Sequence, residues 1–265
     1  MIPRIPTILV VIGAVIGVAC VDMSAPKGPA SISQLQLPSP SVVVNDVMRD
    51  STGAPAKLGI IAFDATGATL TGQVPQFFVT DSGAPAVVDL SGAMIGTRVG
   101  VVHVVGQIGA LQTPVVAIPI TVAPKTIARI ITTPDTLFAP LSTDSTQKGS
   151  APATVAVLGD SALPVVGFVV KYTLLHAPAT SVTSKSPAVY LADDAGNPST
   201  VDTTDVSGHA SRNVVVISAF LGDPKVLNGT PDSAVVTAQT SYKGALVSPS
   251  PIRIVIPIVV RLKLP

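Results

Sequence analysis

The sequence predicts an all-β protein organised as two tandem β-sandwiches behind an N-terminal export segment. The first reason is composition: of 265 residues, 15 are acidic and every one is Asp, while Val, Thr, Pro and Gly abound. Helices favour Glu, Lys, Leu and Ala, whereas Val, Ile and Thr suit a pleated, half-buried surface. The second is rhythm. From Ser31 onward, short apolar runs alternate with Pro, Gly, Asp and Ser clusters, as strands alternate with turns. The third is an internal repeat: SISQLQLPSP from Ser31 matches TIARIITTPD from Thr126, and VAIPITV from Val116 matches IVIPIVV from Ile254.

The first element is Met1–Cys20, MIPRIPTILVVIGAVIGVAC. Arg4 supplies a positive n-region and Ile8–Val18 an apolar stretch of signal-peptide length. Ile16-Gly17-Val18-Ala19-Cys20 resembles the lipobox of bacterial lipoproteins, with Ala19 in the small-residue cleavage slot and Gly17 where Leu is usual. The resemblance implies a signal peptide over 1–19, cleavage before Cys20 and covalent lipid on that thiol, with Val21-Asp22 leaning toward the outer membrane. Two alternatives are a retained membrane helix and a plain cleaved signal. The uncharged run from Ile5 to Val21 is short against the roughly 20 residues a span needs, and Pro6 interrupts it. Cys20 is the only cysteine, which excludes disulfides, a cysteine zinc site and a thiol nucleophile in the rest of the chain.

Residues 20–30 read as the lipidated cysteine and a short flexible tether. In the first sandwich, 31–123, strands are predicted at Ile32–Leu37, Ser41–Asn45, Lys57–Phe63, Gln76–Thr80, Ala86–Leu90, Gly100–Gly106 and Val115–Val122. Asp64-Ala65-Thr66-Gly67 fits a tight turn with Gly supplying the positive φ, and Asp81-Ser82-Gly83 and Ser91-Gly92 are similar punctuation. In the second, 124–265, strands are predicted at Ala128–Thr132, Thr154–Leu158, Val165–Leu174, Ala188–Ala192, Ser211–Ala219, Ser233–Thr240 and Ile252–Leu262. Long loops separate some of them, notably Ser142–Pro152 and Asp193–Gly208. Pro119 and Pro257, at the centre of the two Ile-Pro-Ile segments, are expected at a sheet edge or bulge because proline cannot donate to a ladder.

LGIIAFDATGATLTG followed by VVDLSGAMIGTRVGVVHVVG resembles the bacterial immunoglobulin-like group 2 pattern, with its Gly92–Gly96 step before the strand opened by Gly100. VDTTDVSGHASRNVVV from Val201 and TAQTSYKGALVSPSPIRI resemble the invasin-type group 1 pattern. The resemblance implies immunoglobulin-like sandwiches acting as spacer, adhesion or protein-contact modules at a cell surface. Phe77 and Phe78 stand near the place where such domains often carry Trp, so the core is expected to be built from Val, Ile and Leu.

Charged residues are 12% and net charge is +1, which gives no electrostatic case for nucleic acid. Aromatics are 3% and Trp is absent, so the stacking platforms of glycan or single-strand binders are not evident. His103 lies among aliphatic residues in VVHVV, and His176 and His209 are scattered, with no metal-ligand spacing. No GxSxG elbow or other nucleophile setting occurs, and no catalytic residue is assigned. The stretch with coordinating potential is Asp193, Asp194, Asn197, Asp202 and Asp205, whose hard oxygens suit Ca²⁺, although Asp is favoured in turns without any metal. Val165–Leu175 and Ile252–Leu264 read as buried strands rather than membrane segments. The expectation is a non-enzymatic lipoprotein of the bacterial envelope. It would be anchored to a membrane through Cys20 and act by protein–protein contact, as an accessory structural subunit on the periplasmic side of a larger membrane complex. A free surface adhesion or spacer module is the alternative, and a ligand- or glycan-binding lipoprotein the third reading. Low charge and a length of only two domains favour the subunit.

Overall fold

The computed structural model describes residues 28–131 and 136–261. The signal segment, Cys20 and most of the tether lie outside the described residues.

The first group of strands is β1 (Ser31–Ile32), β2 (Val42–Val43), β3 (Ala62–Phe63), β4 (Thr69–Leu70), β5 (Gln76–Val79), β6 (Ala86–Val88), β7 (Met94–Gly96), β8 (Gly100–Ile108), β9 (Leu111–Gln112) and β10 (Val116–Thr121). One sheet runs β2-β10-β8-β5, with β9 paired to β8. The facing layer is assembled from the β1-β3-β4 ladder and the β6-β7 hairpin, joined by single bridges from Gln36 to Gly59 and from Lys57 to Ala93. Phe77, Met48, Met94, Val102, Val104, Ile118 and Ile120 fill the space between.

The second group is β11 (Thr126–Ile130), β12 (Leu137–Pro140), β13 (Gly149–Leu158), β14 (Val169–His176), β15 (Val189–Ala192), β16 (Val201–Thr203), β17 (His209–Val216), β18 (Asp232–Gln239), β19 (Ser241–Tyr242), β20 (Ala245–Leu246) and β21 (Ile252–Arg261). Its sheets are β11-β13-β17-β15 and β12-β21-β18-β14-β16. Strand β21 shows why they pack face to face. Ile254, Ile256, Ile258 and Val260 are buried, while Arg253 before them and Val255 between the first two are exposed. Each such side chain contributes about 1.5–3 kcal/mol by leaving water. Among the described residues no ladder joins the first group to the second.

Both groups divide their strands as an immunoglobulin sandwich does: first, second, fifth and fourth principal strands on one sheet, third, sixth and seventh on the other. In both, the opening strand is shared between the sheets. β1 and β11 pair antiparallel with β3 and β13, and further along the chain β2 and β12 pair parallel with the closing strands β10 and β21. The chain is therefore all-β, in two tandem immunoglobulin-like sandwiches.

Several local expectations are corrected. The Ser142–Pro152 loop is shorter than predicted, because Gly149–Pro152 already belongs to β13, paired with Val216–Asn213. The Asp193–Gly208 loop contains β16, which covers the edge of β14. Strand β14 starts at Val169 rather than Val165, since Gly167 has φ +71° and breaks the extended run. β17 ends at Val216, followed by a 3-10 turn at Ser218–Phe220, and a single helical turn, Pro224–Leu227, lies where none was expected. Pro119 and Pro257 meet the edge expectation locally, although their strands become interior to the sheet further on. Each sits one residue before the parallel ladder begins, at Ile120↔Val42 and Ile258↔Leu137, so the strand has a neighbour on only one side at the proline.

Candidate functional site at the junction of the two sandwiches

The end of β10, Ser41 before β2 and the turn after β2 meet two segments of the second sandwich. Thr121 Oγ1 accepts the Val166 N–H at 3.0 Å, and Ser41 Oγ donates to the Gly167 carbonyl at 3.0 Å. Val165–Phe168 is braced from behind by buried Thr204, whose hydroxyl donates to Val165 O at 2.6 Å and accepts from Phe168 N–H at 2.8 Å. Beyond β18 the chain makes the tight β19–β20 hairpin. Its two turn residues, Lys243 and Gly244, both have positive φ, as this kind of turn requires.

That hairpin reaches the first sandwich at Asp46. The Tyr242 hydroxyl donates to Asp46 Oδ2 at 2.6 Å, Arg49 Nε to Oδ2 at 2.9 Å and Arg49 Nη2 to Oδ1 at 2.9 Å. The Val47 N–H adds a bond to Oδ1 at 2.9 Å, and Lys243 Nζ stands 3.4 Å from Oδ2. Arg49 also donates through Nη1 to Gly53 O at 2.8 Å, which fixes the next turn. The Tyr242 ring packs edge-on against Phe168 at 6.1 Å, with Lys243 Nζ 5.2 Å from its centroid.

Burial alone would raise the Asp46 carboxyl. The bonds from Arg49, Tyr242 and Val47, together with the Arg49 charge, outweigh it and hold the group far below the usual carboxylate range. Burial, with the bond to Asp46, pushes the Tyr242 phenol well above its ordinary value. A carboxylate this acidic and this fully supplied with donors is a poor base, and a phenol kept protonated is a poor nucleophile. The cleft beside them has a volume of about 140 Å³, below the roughly 300–1,000 Å³ of typical small-molecule sites. The arrangement is suited to holding two bodies at a set angle.

The sequence-derived candidates fall elsewhere. Asp193 closes its own turn, accepting the Asn197 N–H at 2.8 Å, and Asp205 accepts from Ser207 and His209 N–H at 2.8 and 3.0 Å. Asp202 takes the Ser211 N–H at 2.6 Å and pairs with Arg212 at 3.0 Å, while Asp194 receives only a side-chain bond from Asn213. These oxygens serve separate turns, and among the described residues no group of three or more acidic, His or Cys side chains could hold a metal ion. His103 is not confined to aliphatic company: its Nδ1 lies 2.9 Å from Asp81 Oδ1, and its N–H donates to Oδ2 at 2.6 Å. His176 stands 3.6 Å from Asp232, and His209 belongs to the Asp205 turn. Among the described residues no helix is long and apolar enough to cross a membrane.

Sequence reasoning missed Asp46, Arg49 and Tyr242. The i,i+3 spacing of Asp46 and Arg49 hints at a local ion pair, but nothing in the sequence links Asp46 to Tyr242 across 196 positions.

Comparison with protein-family models and with curated proteins finds no match. Among solved structures, domains 4 and 5 of the S-layer protein SbsC align over 87% of this chain and 99% of theirs, at 16% identity and a TM-score of 0.32. The adhesin InvE of Yersinia pseudotuberculosis aligns over 82% of this chain and 56% of its own, at 17% identity and 0.33. Invasin, described as a bacterial integrin-binding protein, aligns over 87% and 40%, at 13% identity and 0.29. The chain is similar to these proteins, and its fold assignment stands on the strand order itself.

Proposed function

We propose that this chain is a non-enzymatic protein of the bacterial envelope, tethered by lipid on Cys20, whose two sandwiches form one stiff protein-contact arm. The arm serves as an accessory subunit on the periplasmic side of a larger membrane complex. The observation that carries this reading is the Asp46 junction. A buried carboxylate joined to Arg49 and to Tyr242 of the other sandwich spends charge and hydrogen bonds on fixing an inter-domain angle. A passive string of modules has no use for that, whereas a subunit that must present one surface while anchored at its end does. Outward-facing Val87 and Ile95, directly opposed across β6 and β7 and 60% and 46% exposed, give the arm an apolar side for protein contact.

The test is isolation of the protein from gently solubilised native membranes, with mass spectrometry of co-migrating chains. A stoichiometric integral-membrane partner is expected. Migration of the chain alone would remove the subunit reading in favour of a free adhesion module. The anchor is tested separately by Cys20→Ala, which should release the protein from membranes. Retention of that variant through a carbonate wash would sink the lipid anchor.

A further inference from the structure

The first sandwich has two ends. Strand β10 runs from Val116 to Thr121, and the Thr121 end meets the second sandwich. At the opposite end lie the turn after β3 and the turn between β8 and β9. The described chain enters there, because the Ala30 N–H bonds to Phe63 O at 2.9 Å and Ser31 pairs with Phe63. Gly28 is eight residues after Cys20. A chain of that length reaches at most about 29 Å.

This end carries little charge. The β6–β7 turn, which also points away from the junction, contributes Asp89, whose Oδ1 is taken by Ser91 and Ala93. Residues 28–36, 64–76 and 107–115 contain a single ionisable side chain, Asp64. Its Oδ1 is occupied by the Thr66 N–H and hydroxyl at 2.8 and 2.6 Å and by the Ala68 N–H at 2.9 Å. Around it Ala65, Gly67, Ala68, Gly109 and Ala110 are exposed, and Val74 is 82% exposed next to β5. The other end of the same sandwich presents Asp46, Arg49 and Asp50. Small residues and the exposed side chains of Val74, Leu90 and Val115, with no cluster of bases, give an apolar surface suited to a lipid headgroup layer rather than an electrostatic docking patch.

We propose that this tip is a membrane-contact surface: it rests in the headgroup layer of the leaflet that holds the Cys20 lipid, and so sets the arm upright on its anchor. The proposal rests on the lipid-anchor reading above. A tether this short gives a local concentration in about the mM range, so a contact too weak to bind membranes alone is populated once the anchor is in place. The tether itself contributes Asp22 and Lys27, which are opposite in sign.

The absence of Trp from the sequence allows a direct test. Ala110→Trp and Val74→Trp each place one fluorophore at the tip, and Val182→Trp places one on a fully exposed loop of the second sandwich. The full lipidated chain is reconstituted in vesicles of phosphatidylethanolamine and phosphatidylglycerol with brominated acyl chains, and the mass of the Cys20 peptide is measured in parallel. Expected are a blue shift and loss of most emission for both tip variants, unchanged at high salt because no ion pairs are involved, and no change for Val182→Trp. With acyl mass present on Cys20, equal and weak quenching at all three positions overturns the tip proposal and leaves the anchor standing. Without acyl mass the anchor falls, and the tip proposal with it. Urea unfolding of each variant guards against a folding defect, and Val74→Trp carries the test if Ala110→Trp does not fold.

Discussion

Five turns in this chain share one plan: Asp50, Asp64, Asp89, Asp193 and Asp205 each open an Asp-x-x-Gly-x segment. In each, the glycine three places on donates its N–H to the Asp carbonyl and has φ between +74° and +88°. The Asp side chain accepts the N–H four places on. The carboxyls of Asp50, Asp64 and Asp89 are held below the usual range, chiefly by the hydroxyls of Thr52, Thr66 and Ser91. A depressed carboxyl contributes stability that is present above its unfolded value, about 3.9, and lost as pH falls through its folded one. A carboxyl-carbon NMR titration should therefore place these three below an unstructured Asp. Values at or above it would refute the turn-capping role. Gly92 carries a second demand, because a Cβ there would lie 2.7 Å from the Phe77 ring and 2.9 Å from Leu58 O. Gly92→Ala should destabilise the first sandwich by about 1–3 kcal/mol in urea unfolding, and a change within error would show that Phe77 yields easily. Tyr172 presents the opposite case. It is 2% exposed and its hydroxyl has no hydrogen-bond partner among the described residues, so Tyr172→Phe should leave the second sandwich as stable or raise it by up to about 1 kcal/mol. A clear loss would mean the hydroxyl is satisfied in solution.

At the scale of elements, the β19–β20 hairpin decides how the sandwiches are held. Tyr242→Phe keeps the ring against Phe168 and removes only the bond to Asp46, at an expected cost of about 1–3 kcal/mol for a bond to a charged group. The loss should appear as a wider inter-domain distance distribution between labels on the two sandwiches and a lower midpoint for the first sandwich, with the midpoint of the second unchanged. Acid should do the same in the wild type. The Arg49 and Val47 bonds stay with Asp46 inside the first sandwich whether or not the hairpin is docked, so only the part of the depression due to Tyr242 is linked to docking. The lock is complete at neutral pH and weakens as pH falls toward the depressed folded value. A distribution already broad at neutral pH would refute the lock. The sandwich strands with clear apolar periodicity, such as β21, were legible in the sequence, and so were the turns marked by Asp and Gly. What was not legible depends on partners. Gly149–Pro152 reads as a loop by its Gly, Ser and Pro, and becomes strand only because β17 lies beside it. Leu137–Pro140 is too short to show a period and is defined by its parallel ladder to β21. Asp46 is an ordinary surface Asp in the sequence and becomes a junction residue only when Tyr242 arrives.

For the whole molecule, the two sandwiches are unequal. The buried core of the second, from Ile127 to Val260, contains more than twice as many residues as that of the first, and its ladders are long, whereas β1, β2, β3, β4 and β9 are two residues each. At about 1.5–3 kcal/mol per large apolar side chain buried, that imbalance exceeds what a single inter-domain lock of about 1–3 kcal/mol can level. We therefore expect urea to unfold the chain in two steps, the first sandwich opening at the lower midpoint. Hydrogen exchange should give the same order, with β13, β17, β18 and β21 protected longest and β1 and β3 least. The second sandwich expressed alone from residue 124 should keep the upper midpoint and lose the lower transition. The first sandwich alone should unfold at a midpoint below its value in the full chain, by the contribution of the junction, of which the Asp46–Tyr242 bond is one part. A single transition, coincident by exchange and by circular dichroism and shifted as a whole by Tyr242→Phe, would instead mean that the junction makes one cooperative body of both sandwiches.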